Sequence, residues 1–134
     1  MSIEVTNDPS QVDFDKLMAW LGGSYWASGR SADREARALE GSLCFIAVDG
    51  GEMVGFARVV TDRATFGWLC DVIVDPEFRG NGIGKALMQA VRDHPDLRGA
   101  RIILATKDAH GLYASYGFEA LANPDNWMMQ RFPE

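Results

Sequence analysis

Val74-Asp75-Pro76-Glu77-Phe78-Arg79-Gly80-Asn81-Gly82-Ile83-Gly84-Lys85 joins a long apolar run to a helical pattern, and the fold turns on how this stretch is read. Upstream, Phe66 to Val74 is almost continuously apolar, the mark of a strand covered on both faces. Downstream, Ile83, Ala86, Leu87, Ala90 and Val91 recur at helical spacing, which predicts a helix from about Gly82 to Asp93, ending before His94-Pro95. Three glycines in five positions are entropically unfavourable unless the backbone must turn sharply or approach something closely. A helix N-terminus presents unpaired N–H groups and a partial positive charge, and glycines remove the Cβ atoms that would keep an anion away. Arg79 and Lys85 add cationic charge. The turn reads as a phosphate cradle, against the plainer alternative that its glycines only tighten a strand-to-helix connection.

Spacing separates the phosphate-binding patterns. A Walker A loop needs glycine four residues before Gly-Lys-Ser/Thr, but Arg79 stands at that glycine and Ala86 at the metal-binding hydroxyl. The dinucleotide fingerprint Gly-x-Gly-x-x-Gly fails as well, because the glycines run Gly80-x-Gly82-x-Gly84 and no first β-α unit precedes them.

Working outward, Ile3 to Thr6 is a short strand candidate, and Asp8-Pro9 offers a cap and first position for a helix reaching about Leu21. Ser31 to Glu40, rich in charge and in helix formers, reads as a short solvated helix with Arg30, Asp33, Arg34, Glu35, Arg37 and Glu40 in solvent. Leu43 to Asp49, Gly50-Gly51 and Glu52 to Thr61 read as a hairpin. Arg101 to Thr106 is a further strand candidate, Ala109 to Tyr116 a short helix and Trp127 to Phe132 a last strand. At 134 residues the chain fits one domain, with 47% apolar and 24% charged residues. A formal charge of −6 has the wrong sign for coating a phosphate backbone, so nucleic acid is not the expected partner. Cys44 and Cys70 lie inside apolar runs and read as buried thiols, and no His, Cys and carboxylate cluster suggests a metal. Without a leader-like N-terminus or an apolar stretch of membrane length, the expectation is a soluble, cytoplasmic protein that does not bind membranes.

Arg79-x-x-Gly82-x-Gly84, placed after a Val-Asp-Pro strand end, resembles the acetyl-coenzyme A turn of the GNAT superfamily of N-acetyltransferases. A second signature follows about thirty residues on: Leu104-Ala105-Thr106 as a strand, then Leu112-Tyr113 and Gly117-Phe118. The resemblance runs from about Leu43 to the C-terminus and is diffuse over residues 1–40. It implies a single acyl-CoA N-acyltransferase domain over residues 1–134. Its fold would be α+β, three layers α/β/α, with a mostly antiparallel mixed sheet of six to seven strands, about four helices, and central strands that splay after Phe66–Val74.

The resemblance also implies chemistry. An acetyl group would pass directly from acetyl-CoA to a primary amine of a small molecule or protein, within a ternary complex and without metal. Tyr113 would be the general acid for the departing CoA thiolate, with Tyr116 either a second candidate or a packed aromatic. The backbone of Val72, Ile73 and Val74 would hydrogen-bond the pantetheine arm and polarise the thioester carbonyl. Arg79, Gly80, Asn81, Gly82, Ile83, Gly84 and Lys85 would hold the pyrophosphate. Asp71, a charge inside an apolar strand, is the candidate base, with a salt bridge the competing explanation. His110 is a second proton-relay candidate or a solvated helix end, and His94 reads as a surface residue. Tyr25 and Trp26 fall where the superfamily often builds its acceptor site and would either line it for an apolar or aromatic amine or cap the sheet. Members commonly form dimers, so Trp127-Met128-Met129 belongs either to such an interface or inside the sheet. The competing functional reading is a noncatalytic acyl-CoA-binding sensor or interaction module.

Overall fold

The computed structural model describes residues 1–134. Strand β1 (Ile3–Thr6) leads through a single 3-10 turn to helix α1 (Phe14–Gly22), and helix α2 (Ala32–Glu40) leads into β2 (Ser42–Asp49), β3 (Glu52–Thr61) and β4 (Phe66–Val74). Helix α3 (Ile83–Asp93), strand β5 (Arg101–Ile103) and helix α4 (His110–Ala114) complete the order. One sheet runs β1-β2-β3-β4-β5, antiparallel except for the parallel β4–β5 pair that α3 connects. The fold is α+β, as expected, with five strands rather than six or seven.

Alternation explains the layers, since successive strand residues face opposite sides. Leu43, Phe45 and Ala47 of β2 join Val59 and Leu69 in a cluster under α3, which contributes Ile83, Leu87, Met88 and Val91. Cys44 and Ile46 face the other way, into a cluster with Leu17 and Leu21 of α1 and Phe56. Helix α3 therefore covers one face and α1 the other. Salt bridges from Lys16 to Asp75 (3.3 Å) and Glu52 (3.0 Å) pin α1 to the end of β4.

Several details depart from the sequence reading. Asp8 caps only a 3-10 turn, Pro9–Gln11, and the α-helix restarts when Asp13 accepts from the Lys16 amide at 3.1 Å. Helix α2 is not wholly solvated, because Glu35 is fully buried. His94 is half-buried, its ring edge-on to Phe45. Trp127 to Phe132 forms no strand. Propensity is insufficient there, since no backbone hydrogen bond is made beyond Trp127, and Met128, Met129 and Phe132 stand in solvent.

Two irregularities in β4 open the sheet. β4 pairs with β5 only over Phe66–Trp68, so from Leu69 onward its edge on that side has no partner strand and the two strands splay. Opposite β3 the register slips between Phe56↔Ile73 and Arg58↔Cys70, placing one extra residue in β4. At this bulge Asp71 takes φ +53°, a left-handed conformation that aspartate tolerates better than most residues.

Candidate active site

The splay opens onto a cavity of about 900 Å³ lined by β4, the α1–α2 connection and the segment between β5 and α4. Of the residues singled out from the sequence, Tyr25, Trp26, Asp71, Val72, Ile73, Val74, Arg79 and Tyr113 line it. Gly80 to Lys85 continue from Arg79 into α3 and do not line the cavity.

At that turn Gly80 and Gly82 have φ +85° and +77°. Gly82 is the N-cap of α3 and supplies no side-chain cap; the first turn's amides are left free, and Ala86 is the residue whose N–H bonds back to Gly82. A Cβ built on Gly80 or Gly82 meets nothing within 4 Å, so the space beside them is open. Arg79 and Lys85 enter no salt bridge, which leaves both cations available to an anion. Backbone donors, open space and uncommitted positive charge fit the pyrophosphate of coenzyme A.

Tyr113 projects from α4 into the cavity, its ring edge-on to Phe118 at 6.0 Å. Burial raises its phenol above the ordinary value, and Tyr25 and Asp108 push the same way, so the hydroxyl keeps its proton at neutral pH. Tyr116 lies outside the cavity and donates to the Lys85 carbonyl at 3.1 Å, tying α4 to α3. His110 is exposed at the first residue of α4.

Asp71 is the hub of the opposite wall. Its Oδ1 accepts from Trp26 Nε1 at 2.8 Å, and its Oδ2 from Arg30 Nη1 at 2.7 Å and Arg58 Nε at 3.0 Å. Arg30 Nη1 also donates to Glu35 Oε2 at 2.9 Å. Burial alone would raise the Asp71 carboxyl, but the Arg30 hydrogen bond and the charges of Arg58 and Arg30 outweigh it and hold the group below its ordinary value. Arg30, placed in solvent by the sequence reading, is instead the bridge between two buried carboxylates. Burial opposes its charge, and the bonds to Asp71 and Glu35 override that and raise it further. Cys70 lines the same cavity, yet burial pushes its thiol up to about 11, so it is a poor nucleophile.

Arg58, Trp68, Lys107 and Asp108 were not singled out from the sequence, yet all line the cavity. One signal was present for Arg58. It is a lone charge in the apolar run Gly55-Phe56-Ala57-Arg58-Val59-Val60, and Asp71 is a lone charge in another, so two neighbouring strands each carry a charge that burial would punish unless paired.

A family model described as an acetyltransferase (GNAT) domain matches residues 40–120, which hold both signatures. The chain belongs to the GNAT acetyltransferase family. A protein of Gibberella zeae that carries an acetyltransferase name is 32% identical over 133 residues, covering 81% of this chain and 74% of its own length. The histone acetyltransferase TAP1 of Glycine max is 30% identical over 111 residues, covering 78% of this chain but 44% of that protein. Among solved structures, a GNAT-family protein from Xanthomonas campestris pv. campestris is 44% identical and superposes with a TM-score of 0.95, covering 99% of this chain and 95% of that one. GNAT proteins use acetyl-CoA generally and act on an acceptor, so the membership assigns acetyl transfer to this chain and leaves the acceptor open. No helix is long and apolar enough to cross a membrane.

Proposed function

We propose that residues 1–134 form one domain that transfers an acetyl group from acetyl-CoA to a primary amine by direct transfer in a ternary complex. The observation that carries this reading is the continuity of one cavity from Arg79 to Tyr113 along the unpaired edge of β4. The open glycine turn holds the pyrophosphate through the free amides of α3, with Arg79 and Lys85 neutralising charge. Peptide groups of Val72, Ile73 and Val74 hydrogen-bond the pantetheine arm, and one N–H polarises the thioester carbonyl. Tyr113, half-buried and protonated, gives its proton to the sulfur as the carbon–sulfur bond breaks.

Asp71 sits in this scheme as a positioning group rather than the base. Two guanidiniums draw on its carboxylate and keep it weakly basic, which is the salt-bridge explanation weighed for it from the sequence. Its three hydrogen bonds instead tie the bulge of β4 to Trp26 and Arg30, fixing the acceptor wall against the strand that meets the thioester.

A thermal unfolding scan with acetyl-CoA, beside ATP and NAD, tests the reading. A ligand at ~100 times its Kd adds ~2.7 kcal/mol, a shift of several degrees for a domain of this size. Acetyl-CoA alone should raise the midpoint, and equal shifts from ATP would replace the GNAT cofactor with a general nucleotide. Catalysis rather than sensing is supported by the protonated Tyr113 at the junction of the cavity's two ends.

The tail supports the expected homodimer. Trp127, Met128, Met129 and Phe132 stand exposed in a segment that makes no backbone hydrogen bond beyond Trp127, which suits a contact between two copies. Sedimentation velocity at micromolar concentration should return a dimer, and a chain truncated after Asn126 a monomer.

A further inference from the structure

More cations than acids line the cavity of this acidic protein, with buried Glu35 balancing Arg30 from behind the wall. The chain carries −6, yet Arg30, Arg58, Arg79 and Lys107 line the cavity against only Asp71 and Asp108. Asp71 is already engaged by two of those arginines. Neither arginine is fully used by the fold. Arg58 is 8% exposed, with Nε on Asp71 and Nη1 on Ser42 Oγ at 3.0 Å, and its Nη2 bonds nothing in the chain. That nitrogen is not sealed in the interior, where Glu35 Oε1 is the one side-chain polar atom without a partner, and Arg58 lines the cavity. Arg30 spends Nη1 on Asp71 and Glu35 and keeps Nε and Nη2 free. Lys107 enters no salt bridge, and its Nζ lies 5.3 Å above the Tyr25 ring. A nearly buried guanidinium with an unused N–H pair is built to receive a planar anion.

The rest of this end is aromatic. Trp20, Trp26 and Trp68, three of the chain's four tryptophans, line the cavity with Tyr25. A polyamine would meet two guanidiniums whose carboxylate is already engaged and the ammonium of Lys107, with Asp108 the one uncommitted acid on the lining. An acceptor with one carboxylate and an apolar body meets N–H donors and indole faces instead. Distance limits it further. Arg58 is opposite Cys70 in the register, and Val72 and Ile73 follow two and three residues on, at ~3.3 Å per residue. Arg58 and the residues that would meet the thioester therefore lie on one short stretch of the β3–β4 pair, within reach of a single small acceptor.

We propose that the acceptor is a small amino acid with an apolar or aromatic side chain. Its carboxylate binds the free N–H groups of Arg58 and Arg30, and its side chain lies among Trp20, Trp26 and Trp68. The inference rests on the proposed use of acetyl-CoA. The ammonium first releases a proton to solvent; the amine nitrogen then forms the new amide bond as the thioester carbon–sulfur bond breaks. The nitrogen gives its second proton to solvent water, and the sulfur takes one from Tyr113, which solvent reprotonates. The products are an N-acetyl amino acid and CoA, with one proton released overall.

The test is thiol release from acetyl-CoA by the full chain, with the twenty amino acids, their carboxamides, phenethylamine and spermidine as acceptors. An apolar or aromatic amino acid should be turned over with kcat/KM at least tenfold above its carboxamide and above phenethylamine. The acid-to-amide comparison needs no variant, so it stands even if an Arg58 variant fails to fold. Arg30→Lys, which keeps a cation beside Asp71 and Glu35 but removes the free guanidinium N–H groups, should shrink the ratio by raising KM for the acid more than KM for the amide. Spermidine or phenethylamine matching the best amino acid overturns the proposal. So does the absence of any acetylated amino acid in a protein whose melting temperature acetyl-CoA still raises. If acetyl-CoA leaves the melting temperature unchanged, the cofactor reading itself falls, and this proposal with it.

Discussion

The cavity is made of two ends built from different material. Toward α3 the lining is the unpaired edge of β4 as far as Arg79, and the turn that continues beyond it is backbone too: glycines at φ +85° and +77° and uncapped amides. Toward the α1–α2 connection it is side chain: indoles, two arginines and a carboxylate that gathers them. Peptide groups are the same whatever residue carries them, so the first end suits a ligand that many sequences must hold alike. The second end changes with every substitution, as a wall that selects one acceptor must. Changes at one end should therefore leave the other's ligand untouched, and single substitutions put that separation at risk.

The largest effect is expected at the seam. Tyr113→Phe removes a proton donor and little volume, and should lower turnover by ~100-fold or more, since general acid catalysis contributes 10²–10⁴. The melting shift given by acetyl-CoA should stay within a degree of wild type. Turnover and shift falling together would make Tyr113 part of the binding wall rather than the acid.

Next in size is Asp71, the hinge of the side-chain end. Asp71→Ala leaves Arg58, 10% exposed, without a carboxylate, leaves Arg30 with Glu35 alone, and sets a less tolerant residue at φ +53°. A loss of ~3 kcal/mol is expected in urea unfolding. Because folding lowers the Asp71 carboxyl below its ordinary 3.8, the unfolded chain binds the proton first as pH falls. The stabilisation is therefore complete above the ordinary value and disappears on acidification through the folded one. Between pH 6 and 3 the wild-type unfolding midpoint should drop further than that of Asp71→Asn, and parallel curves would deny Asp71 its part in the network.

The same contrast explains what the sequence made legible. Strand, glycine turn and amphipathic helix are contiguous, and their spacing carries their geometry, so β4, α3 and the phosphate cradle follow from local pattern. Asp71, Arg58 and the pair Trp26 and Arg30 come from three segments that only the folded chain brings together. Arg30 stands one residue before a helix full of charges, and nothing local separates a residue that bridges buried carboxylates from its solvated neighbours Arg34 and Arg37. The bulge at Asp71 is likewise a property of pairing with β3, not of β4 alone. The missing last strand has the same origin, because Trp127 to Phe132 has strand composition and no strand beside it.

Gly82→Ala probes the backbone end. A side chain at φ +77° costs about 1–2 kcal/mol, which the helix cap absorbs by shifting. The free amides of α3 then move off their target, and acetyl-CoA affinity should fall ~10-fold in calorimetry while acceptor KM at saturating acetyl-CoA is unchanged. A matching rise in acceptor KM would show that the two ends are mechanically one.

The smallest change expected is the cleanest trial of the side-chain end. Trp26→Phe keeps an aromatic wall and removes one bond, the 2.8 Å donation from Nε1 to Asp71. A hydrogen bond to a charged group is worth ~1.5–3 kcal/mol when well buried. Trp26 is 43% exposed, so water replaces much of it and ~1 kcal/mol is the expected cost. Released from Asp71, the ring no longer has a fixed orientation against the acceptor, and acceptor KM should rise ~5-fold with kcat nearly unchanged. Acetyl-CoA meets the other end of the cavity, and its melting shift should not move. If affinity for acetyl-CoA falls in step with that for the acceptor, the Asp71 hub transmits the loop's position into β4, and the backbone cradle is not independent of the side chains that face it.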